Sequence, residues 1–425
     1  MPNAGVESTP QPAPAGVQLA LVGVGGGIED PEGPERPEET DGAPADEEDE
    51  ETGPGEDERV ARAALARLAE PGDETVGEWI ERFGAREVLR RIERGGELPR
   101  RRSGGRDRLA NYRVRLAGLD PTGDLDRFRR LGGRLVVPGD AEWPTQLDDL
   151  GSARPIALWV RGDVSLRCLA LRSVAVVGAR ASTEYGLRAA TELAAGLAQR
   201  GWTVVSGAAY GIDAAAHRGA LTATGATVAV LACGADRAYP SGNTGLIARI
   251  AEEGLLVSEL PPGEHPTRSR FVLRNRVIAA LTRGTVVVEA ACRSGALSTA
   301  RRAAGLNRQV MGVPGSCFSQ LSSGVHQLIR SGQATLVTDP DEVVELVGGV
   351  GTDLAPLRHG PVLPRDLLPL EAVQVLEALP AGAEGLPLPE VARRAGLVRE
   401  LVLPRLFELG ALGFAARRGE RWSLA

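Results

Sequence analysis

The chain has 425 residues, of which 43% are hydrophobic and 25% charged, enough for two or three domains with at least one large core. No run of about 18 apolar residues occurs and the start Met1-Pro2-Asn3-Ala4 lacks the basic segment of a signal peptide, so we expect a cytoplasmic protein without a membrane span. The formal net charge of −7 averages two segments of opposite sign.

An acidic tail opens the chain. Of the 56 acidic and 49 basic residues, 17 acidic and one basic lie in residues 1–58, which leaves 39 acidic and 48 basic for the remainder. The tail is rich in Pro and Gly and contains the acidic run Asp46–Glu51, so we predict that residues 1–58 are disordered. The remaining basic body suits a polyanionic ligand.

Apolar residues recur at helical spacing after the tail. We therefore predict a small helical domain of the SAM-like kind over residues 59–135. Two roles remain open for it, contact with a DNA backbone and a plain spacer or scaffold.

Short Val-rich runs alternate with helical patterns over residues 136–348. The predicted strands are Val174–Val177, Thr203–Val205, Thr227–Leu231, Leu255–Val257, Thr285–Val288 and Gln309–Gly312. Continuous apolar strands joined by helices are typical of a doubly wound parallel sheet, so the fold class is α/β.

Two further segments complete the predicted organisation. Residues 349–365 are aperiodic and contain Gly and Pro, which predicts a linker. Residues 366–425 show three helical patterns and a hairpin around Gly419, which is typical of a winged helix. The net charge of +3 from residue 386 onward is too small to decide whether this module would bind DNA or protein.

Small and polar residues follow four of the predicted strands. In a parallel sheet these loops share one edge, where helix N-termini present free N–H groups to anions. We therefore predict a polyphosphate-type site there, although each loop alone could be ordinary turn chemistry. The candidate residues are Gly178, Arg180, Ser206, Gly207, Gly211, Gly234, Tyr239, Asn243, Ser294, Gly295 and Thr299.

Residues 261–276 form the most unusual stretch, because arginines and an aromatic residue crowd together just before a helical run. Arginines beside an aromatic ring suit the phosphates and exposed bases of a nucleic-acid strand. The candidate residues are Arg268, Arg270, Phe271, Arg274, Asn275 and Arg276. The alternative is that Phe271 anchors the core and that the arginines pair with Glu259 or Glu289, both of which we expect to brace loops.

Signals for catalysis are weak. Asp213 and His217 are spaced i and i+4 on one helix, which permits acid–base chemistry, but bracing of the neighbouring loop is the better interpretation. The chain has no lysine and so no Walker lysine. Cys168, Cys233, Cys292 and Cys317 form no C-x-x-C pair, so we expect buried thiols, no zinc site and no cofactor.

Several motifs together resemble the DNA-processing protein A (DprA/Smf) family. They are Pro138-Gly139-Asp140-x-x-Trp143-Pro144, Leu158–Asp163, Ser206-Gly207-x-x-x-Gly211-Ile212-Asp213, Tyr239-Pro240-x-x-Asn243, Ser258-Glu259-x-Pro261-Pro262-Gly263, Arg274-Asn275-Arg276, Ser294-Gly295-x-Leu297-x-Thr299 and Val313-Pro314-Gly315. The resemblance covers about residues 136–347.

This resemblance implies an extended Rossmann-like domain that binds single-stranded DNA, forms a homodimer and promotes loading of the RecA recombinase. It implies that Arg180 and the region of Arg268 and Arg270 contact DNA. The chain departs from the family pattern at Tyr210 and Ser241, where a basic residue is common, and at Val272, where the family has proline. These departures leave the path of the strand open.

Two other functions are possible on the sequence. A nucleotide phosphoribohydrolase of the lysine-decarboxylase-like class shares the general fold, but its P-G-G-x-G-T-x-x-E loop is missing between Glu289 and Thr299. A transcription regulator would use the winged helix to read duplex DNA and the core to sense a ligand.

Overall fold

A computed structural model describes residues 53–99, 108–356, 360, 362–382 and 384–425. Almost all of the predicted disordered tail, and part of the predicted linker, lie outside these residues. The end of the tail is described, and there the prediction is wrong. The first helix already begins at Glu56, with Glu56, Asp57 and Glu58 in its first turn. Acidic residues at a helix N-terminus stabilise it through the helix dipole.

Within the described residues, five helices precede the sheet. They are α1 (Glu56–Leu68), α2 (Glu74–Phe83), α3 (Ala85–Arg94), α4 (Arg108–Leu116) and α5 (Pro121–Arg130). Asp73 caps α2 by accepting hydrogen bonds from the backbone N–H groups of Thr75 and Val76. Asp120 caps α5, which has Pro121 at its first position. That these helices form a SAM-like domain stays a prediction.

A nine-stranded sheet forms the centre of the molecule. Its strands are β1 (Gly133–Val136), β2 (Leu158–Arg161), β3 (Ser173–Val177), β4 (Thr203–Ser206), β5 (Thr227–Val230), β6 (Leu255–Ser258), β7 (Gly284–Val287), β8 (Gln309–Gly312) and β9 (Thr335–Leu336). Their order is β1-β2-β6-β5-β4-β3-β7-β8-β9. The predicted α/β class and the six predicted strands are confirmed.

The expectation of a wholly parallel sheet is wrong at one edge. Strands β1 and β2 pair antiparallel with each other, and β2 pairs antiparallel with β6, whereas β3 to β9 pair in parallel. Strand β1 also spans the boundary predicted between residues 135 and 136. The Val-rich pattern missed these strands because Arg134 interrupts the apolar run of β1 and Arg161 ends that of β2.

Helices cover both faces of the sheet. They are α6 (Leu166–Leu171), α7 (Glu184–Gln199), α8 (Ile212–Thr222), α9 (Thr244–Glu253), α10 (Arg268–Leu281), α11 (Ala296–Gly305), α12 (Ser323–Arg330) and α13 (Pro340–Val347). Alternate residues of β3 belong to two separate cores: Ala175 and Val177 pack with α10, α11 and α12, while Val174 and Val176 pack with α7, α8 and α13. Both faces of the strand are therefore buried, as in a doubly wound fold.

The chain reverses its direction of travel across the sheet at β3. From β3 the order runs through β4 and β5 to β6 on one side, and through β7 to β8 on the other. The loops that follow β3 and β7 therefore diverge and leave a crevice at the carboxyl ends of these strands. Such a switch point is where open α/β sheets bind their ligands.

The C-terminal residues form a separate small layer. Helices α14 (Leu370–Ala378), α15 (Leu388–Ala395) and α16 (Arg399–Ala411) pack beside strands β10 (Leu386–Pro387), β11 (Ala415–Arg418) and β12 (Arg421–Leu424). The three strands form an antiparallel sheet in the order β10-β12-β11. The winged-helix assignment itself stays a prediction.

Two further findings concern the sequence-based expectations. Only Cys233 is buried, whereas Cys168, Cys292 and Cys317 are exposed, so the prediction of four buried thiols is wrong. Within the described ranges, every helix is too short or too polar to cross a bilayer.

Candidate nucleic-acid interface

A cavity of about 740 Å³ occupies the crevice at the switch point, and we call it the rim pocket. The loops after β3, β5 and β7 and the start of α10 form its walls. It brings together many of the candidate residues, namely Gly178, Arg180, Tyr239, Arg268, Phe271, Arg274, Asn275, Ser294, Gly295 and Thr299. The convergence of these chain segments gives one concave surface with arginine and aromatic side chains.

Phe271 lies between a guanidinium group and a second aromatic ring. The guanidinium carbon of Arg180 is 4.4 Å from the centre of the Phe271 ring, a cation–π contact. The ring of Tyr239 is 5.8 Å from the same ring and tilted by 45°. Phe271 is only partly buried, so it is a wall of the pocket and not the core anchor that the sequence left possible.

Arg274 forms the floor of the rim pocket. Its side chain is buried, its Nη1 donates to the carbonyl oxygen of Val230 at 2.5 Å, and its Nε has no partner among the described residues. Burial lowers the pKa of Arg274, and the carboxylate of Asp213 opposes that change. Arg274 therefore brings a buried positive charge to the floor of the pocket, close to the carboxylate of Asp213.

Gly207 makes room for this guanidinium. A Cβ atom at position 207 would lie 1.8 Å from Nη1 of Arg274, far closer than any real contact. The backbone N–H of Gly207 donates to Oδ2 of Asp213 at 3.2 Å. Burial raises the pKa of Asp213, while Arg274 and backbone N–H groups of Gly178, Gly207 and Ala209 favour its ionised form.

His217 lies away from the pocket and is completely buried. Its Nδ1 is 2.7 Å from Oγ1 of Thr227, and desolvation lowers the pKa of His217 to about 3. The imidazole is therefore neutral at pH 7 and has no access to a substrate. This geometry favours a bracing role over acid–base catalysis.

The two glutamates predicted as loop braces have different partners. Glu289 accepts hydrogen bonds from the backbone N–H and the hydroxyl of Thr183, at 2.9 and 2.6 Å. Glu259 forms a buried ion pair with Arg276. Burial raises the pKa of Glu259, and Arg276 opposes that rise.

Arg276 and Arg270 do not line the rim pocket. Arg276 is 2% exposed and lies against Glu259, so a DNA phosphate has no path to it. Arg270 forms ion pairs with Glu70 and Glu264 and is largely buried between them. The prediction of DNA contact at these two arginines is corrected, because α10 already begins at Arg268 and distributes the cluster around a helix. Residues 268, 271 and 275 share the face that meets the pocket.

Five other candidate residues do not line the rim pocket but support the segments around it. The hydroxyl of Ser206 is buried and donates to the carbonyl oxygen of Val176, and the buried side-chain amide of Asn243 donates to Ala208 and Ala209. Gly211 has a φ of 76° and lies against the backbone of Ala179 and Arg180. Gly207 supports Arg274, and Gly234 lies against the 261–263 loop. Ser206, Gly207, Gly234 and Asn243 are buried and Gly211 is partly exposed, and DNA contact at these five residues stays a prediction.

The sequence did not single out Arg293 or Leu321, which also line the rim pocket. Arg293 is exposed in the loop after β7, directly before Ser294. Its position in a strand-end loop was the available signal. Leu321 lies on the loop after β8, and no local sequence pattern indicates that this loop returns to the pocket. Among the described residues, no group of three or more His, Cys, Asp or Glu is placed to hold a metal ion.

Comparisons with known proteins agree with this architecture. The family model described as DNA recombination-mediator protein A matches residues 134–348. A Mycobacterium tuberculosis protein named as a DNA processing protein DprA is 43% identical over 379 residues, which cover 86% of this chain and 94% of that protein. Escherichia coli Smf is 39% identical over 292 residues, covering 66% of this chain and 75% of that protein.

A solved structure gives the same result in three dimensions. The crystal structure of DNA processing protein A from Streptococcus pneumoniae has a TM-score of 0.57 and 32% identity, and the match covers 69% of this chain and 98% of that one. The match to the family model and the extent of these likenesses establish that the chain belongs to the DprA/Smf family of DNA processing proteins.

Proposed function

We propose that this protein binds single-stranded DNA in the rim pocket, protects the strand and promotes loading of the RecA recombinase during transformation or recombination. The observation that carries the proposal is the composition of the pocket. Arg180, Arg268 and Arg274 surround the aromatic rings of Phe271 and Tyr239 at the switch point of the sheet. Guanidinium groups bind phosphates and aromatic rings stack with bases, so both parts of a nucleotide find partners.

The shape of the site favours a single strand over a duplex. Phe271 and Tyr239 lie within a concave pocket, so only a base that has left its stack can reach them. Its lining of arginine and aromatic side chains suits a phosphate and a base face of any sequence. Binding should therefore tolerate sequence changes and weaken with salt.

The proposed role is binding and not catalysis. His217 is buried and the pocket-lining residues include no lysine, cysteine or histidine. The homodimer and the hand-over to RecA rest on the family resemblance, and the cytoplasmic location is a further part of the proposal.

An electrophoretic mobility shift tests the binding function. Labelled single-stranded and duplex oligonucleotides of the same sequence are compared at two salt concentrations. We expect preference for the single strand, with log K falling by about 0.7 per phosphate contact for each unit of log salt. Equal affinity for the duplex, or release of free base from a nucleoside monophosphate, would contradict the proposal.

The recombinase function needs its own assay. DNA-dependent ATP hydrolysis by RecA is measured on single strands covered by a competing single-strand binding protein, with and without this protein. The proposal requires faster onset of hydrolysis when the protein is present. An unchanged lag with normal DNA binding would remove the RecA part alone.

A further inference from the structure

Exposed aromatic side chains concentrate on the edge of the sheet that carries the rim pocket. Among the described residues five are exposed, and Tyr185, Tyr210, Tyr239 and Phe318 all lie on segments that follow a strand at its carboxyl end. Phe407, in α16, is the exception. Because only 4% of the chain is aromatic, this placement is not a consequence of abundance.

These aromatic residues follow the strand order across the sheet. Tyr239 follows β5, Tyr210 follows β4, Tyr185 lies in the first turn of α7 after β3, and Phe318 follows β8. Neighbouring strands are about 4.8 Å apart, so the row from β5 to β8 spans about 19 Å. At a rise of about 3.4 Å, roughly six nucleotides cover this distance. The row is longer than the rim pocket, which does not include Phe318.

The loop that carries Phe318 is fixed beside the rim pocket. The hydroxyl of Tyr185 donates to the carbonyl oxygen of Pro314 at 2.5 Å, and the N–H of Gly324 donates to the carbonyl oxygen of Ala290 at 2.8 Å. The loop is thereby joined to the segment that carries Arg293, and Leu321 within it lines the pocket. Phe318 therefore lies on a loop that these hydrogen bonds fix at the border of the pocket.

The chemistry of this border suits a nucleic-acid strand. Phe318 is 95% exposed, so nearly its whole ring is available to a flat partner. Residues 313–324 include no acidic side chain that would repel a phosphate. Arg293 is exposed on the adjoining loop and supplies a cation. An aromatic ring and an exposed arginine on two joined loops are the side-chain types that sequence-tolerant single-strand binding uses.

We propose that Tyr185, Arg293 and Phe318 form a second subsite, in which the single strand leaves the rim pocket toward β8, stacks one base on Phe318 and places a phosphate at Arg293. This inference rests on the proposed function, since it extends the same DNA path. It gives the DNA strand a path across the sheet from β5 to β8. Affinity should therefore depend on the length of the oligonucleotide.

Fluorescence anisotropy with oligothymidylates of about three to about twelve nucleotides tests the subsite, because this range brackets the roughly six nucleotides that span the row. Phe318→Ala should weaken binding of the long oligonucleotides at least about fivefold, the lower limit for loss of one stacked base, and leave the shortest unchanged. Phe318→Leu keeps an apolar side chain without a ring and should show the same loss, whereas Phe318→Trp should bind at least as well as the wild type. Leu336→Ala, at another exposed apolar residue, is the matched control.

The possible results separate this inference from the proposed function. Equal affinity of Phe318→Ala and wild type at every length overturns the subsite, and so does an equal loss at every length. A change in the molecular mass from sedimentation, with affinity preserved, would instead place Phe318 in a protein contact and also overturn it. Failure of the wild type to bind any oligonucleotide would overturn the proposed function.

Discussion

Arg270 in α10 binds both carboxylate oxygens of Glu70, which lies 200 residues earlier, just beyond α1. The Nη2 and Nε atoms of Arg270 are 3.0 and 3.1 Å from Oε1 and Oε2 of Glu70. Nearby, Arg67 of α1 donates to the carbonyl oxygen of Pro262 at 2.7 Å and to Glu264 at 3.2 Å. The N-terminal helices are thus attached to the segment that leads into the wall of the rim pocket.

Arg67 should influence DNA binding without touching DNA. It holds the segment of Pro262 and Glu264, so Arg67→Ala should loosen the start of α10 and weaken binding by about 0.5–2 kcal/mol, the range for residues that act through others. Because no phosphate contact is lost, the slope of log K against log salt should not change. Arg249→Ala, which removes an exposed pair with Glu253, is the control with the same change of charge. A slope reduced by about 0.7 would show that Arg67 binds a phosphate itself.

In contrast to Arg67, Arg180 and Arg274 should affect DNA binding directly, through their own positive charges. Arg180 is exposed and available to phosphate oxygens, whereas Arg274 is buried and contributes a positive charge to the pocket floor. Arg180→Ala should cost about 1.5–3 kcal/mol of binding, as for a hydrogen bond to a charged group, and lower the salt slope. Adding Arg274→Ala should reduce affinity further.

Circular dichroism of both variants separates loss of binding from loss of fold. Unchanged affinity of a folded double variant would remove the assignment of the rim pocket.

Gly207→Ala tests the position of the pocket floor. The new methyl group would collide with the guanidinium of Arg274, which must then leave its place beside Val230. We expect affinity for single strands to fall by roughly tenfold, comparable to the loss of one charged hydrogen bond. Gly245→Ala, where a Cβ atom meets nothing within 4 Å, provides the control. Normal binding by a folded Gly207→Ala protein would show that Arg274 need not be fixed there.

His217 should make stability depend on pH. Its pKa is lowered to about 3 in the folded protein, against an ordinary value of 6.5, because desolvation disfavours the imidazolium form. Between these pKa values the unfolded chain binds the extra proton, so the free energy of unfolding should fall by about 1.4 kcal/mol per pH unit as pH drops below 6.5. Above pH 6.5 this contribution is fully present.

Urea denaturation of wild type and His217→Gln between pH 4 and pH 7 isolates this residue, since the other titrating groups are common to both. The difference in unfolding free energy should shrink as pH falls. Parallel curves would mean that the folded protein accepts a proton at His217.

The sequence predicted the parallel strands well because their apolar runs are continuous, as in Ser173–Val177 and Thr227–Val230. It missed β1 and β2, where Arg134 interrupts one apolar run, Arg161 ends the other, and the strands are defined by long-range pairing. Helical spacing also fails to give exact ends, since α1 begins within the segment predicted as disordered.

The candidate site likewise contains residues that the sequence predicted correctly and residues that it could not predict. Loop chemistry at strand ends predicted that Gly178, Arg180, Ser294 and Gly295 would converge, and topology brings them to one pocket. It could not separate Arg274 from Arg276, because their surroundings depend on Glu259 and on the rotation of α10. Partners distant in sequence, such as Glu70 for Arg270, leave no local signal.

The packing of α1 and α5 on the sheet has a practical consequence for dissecting the protein. Ala63, Leu125 and Phe128 share one hydrophobic cluster with Trp159 and Leu231, and the Phe128 ring meets Trp159 edge-on at 5.3 Å. A fragment that starts at residue 136 would expose Trp159 to solvent and remove most of the edge strand β1. In deletion studies that remove the N-terminal helices, aggregation of the fragment would therefore interfere with the measurement of DNA affinity.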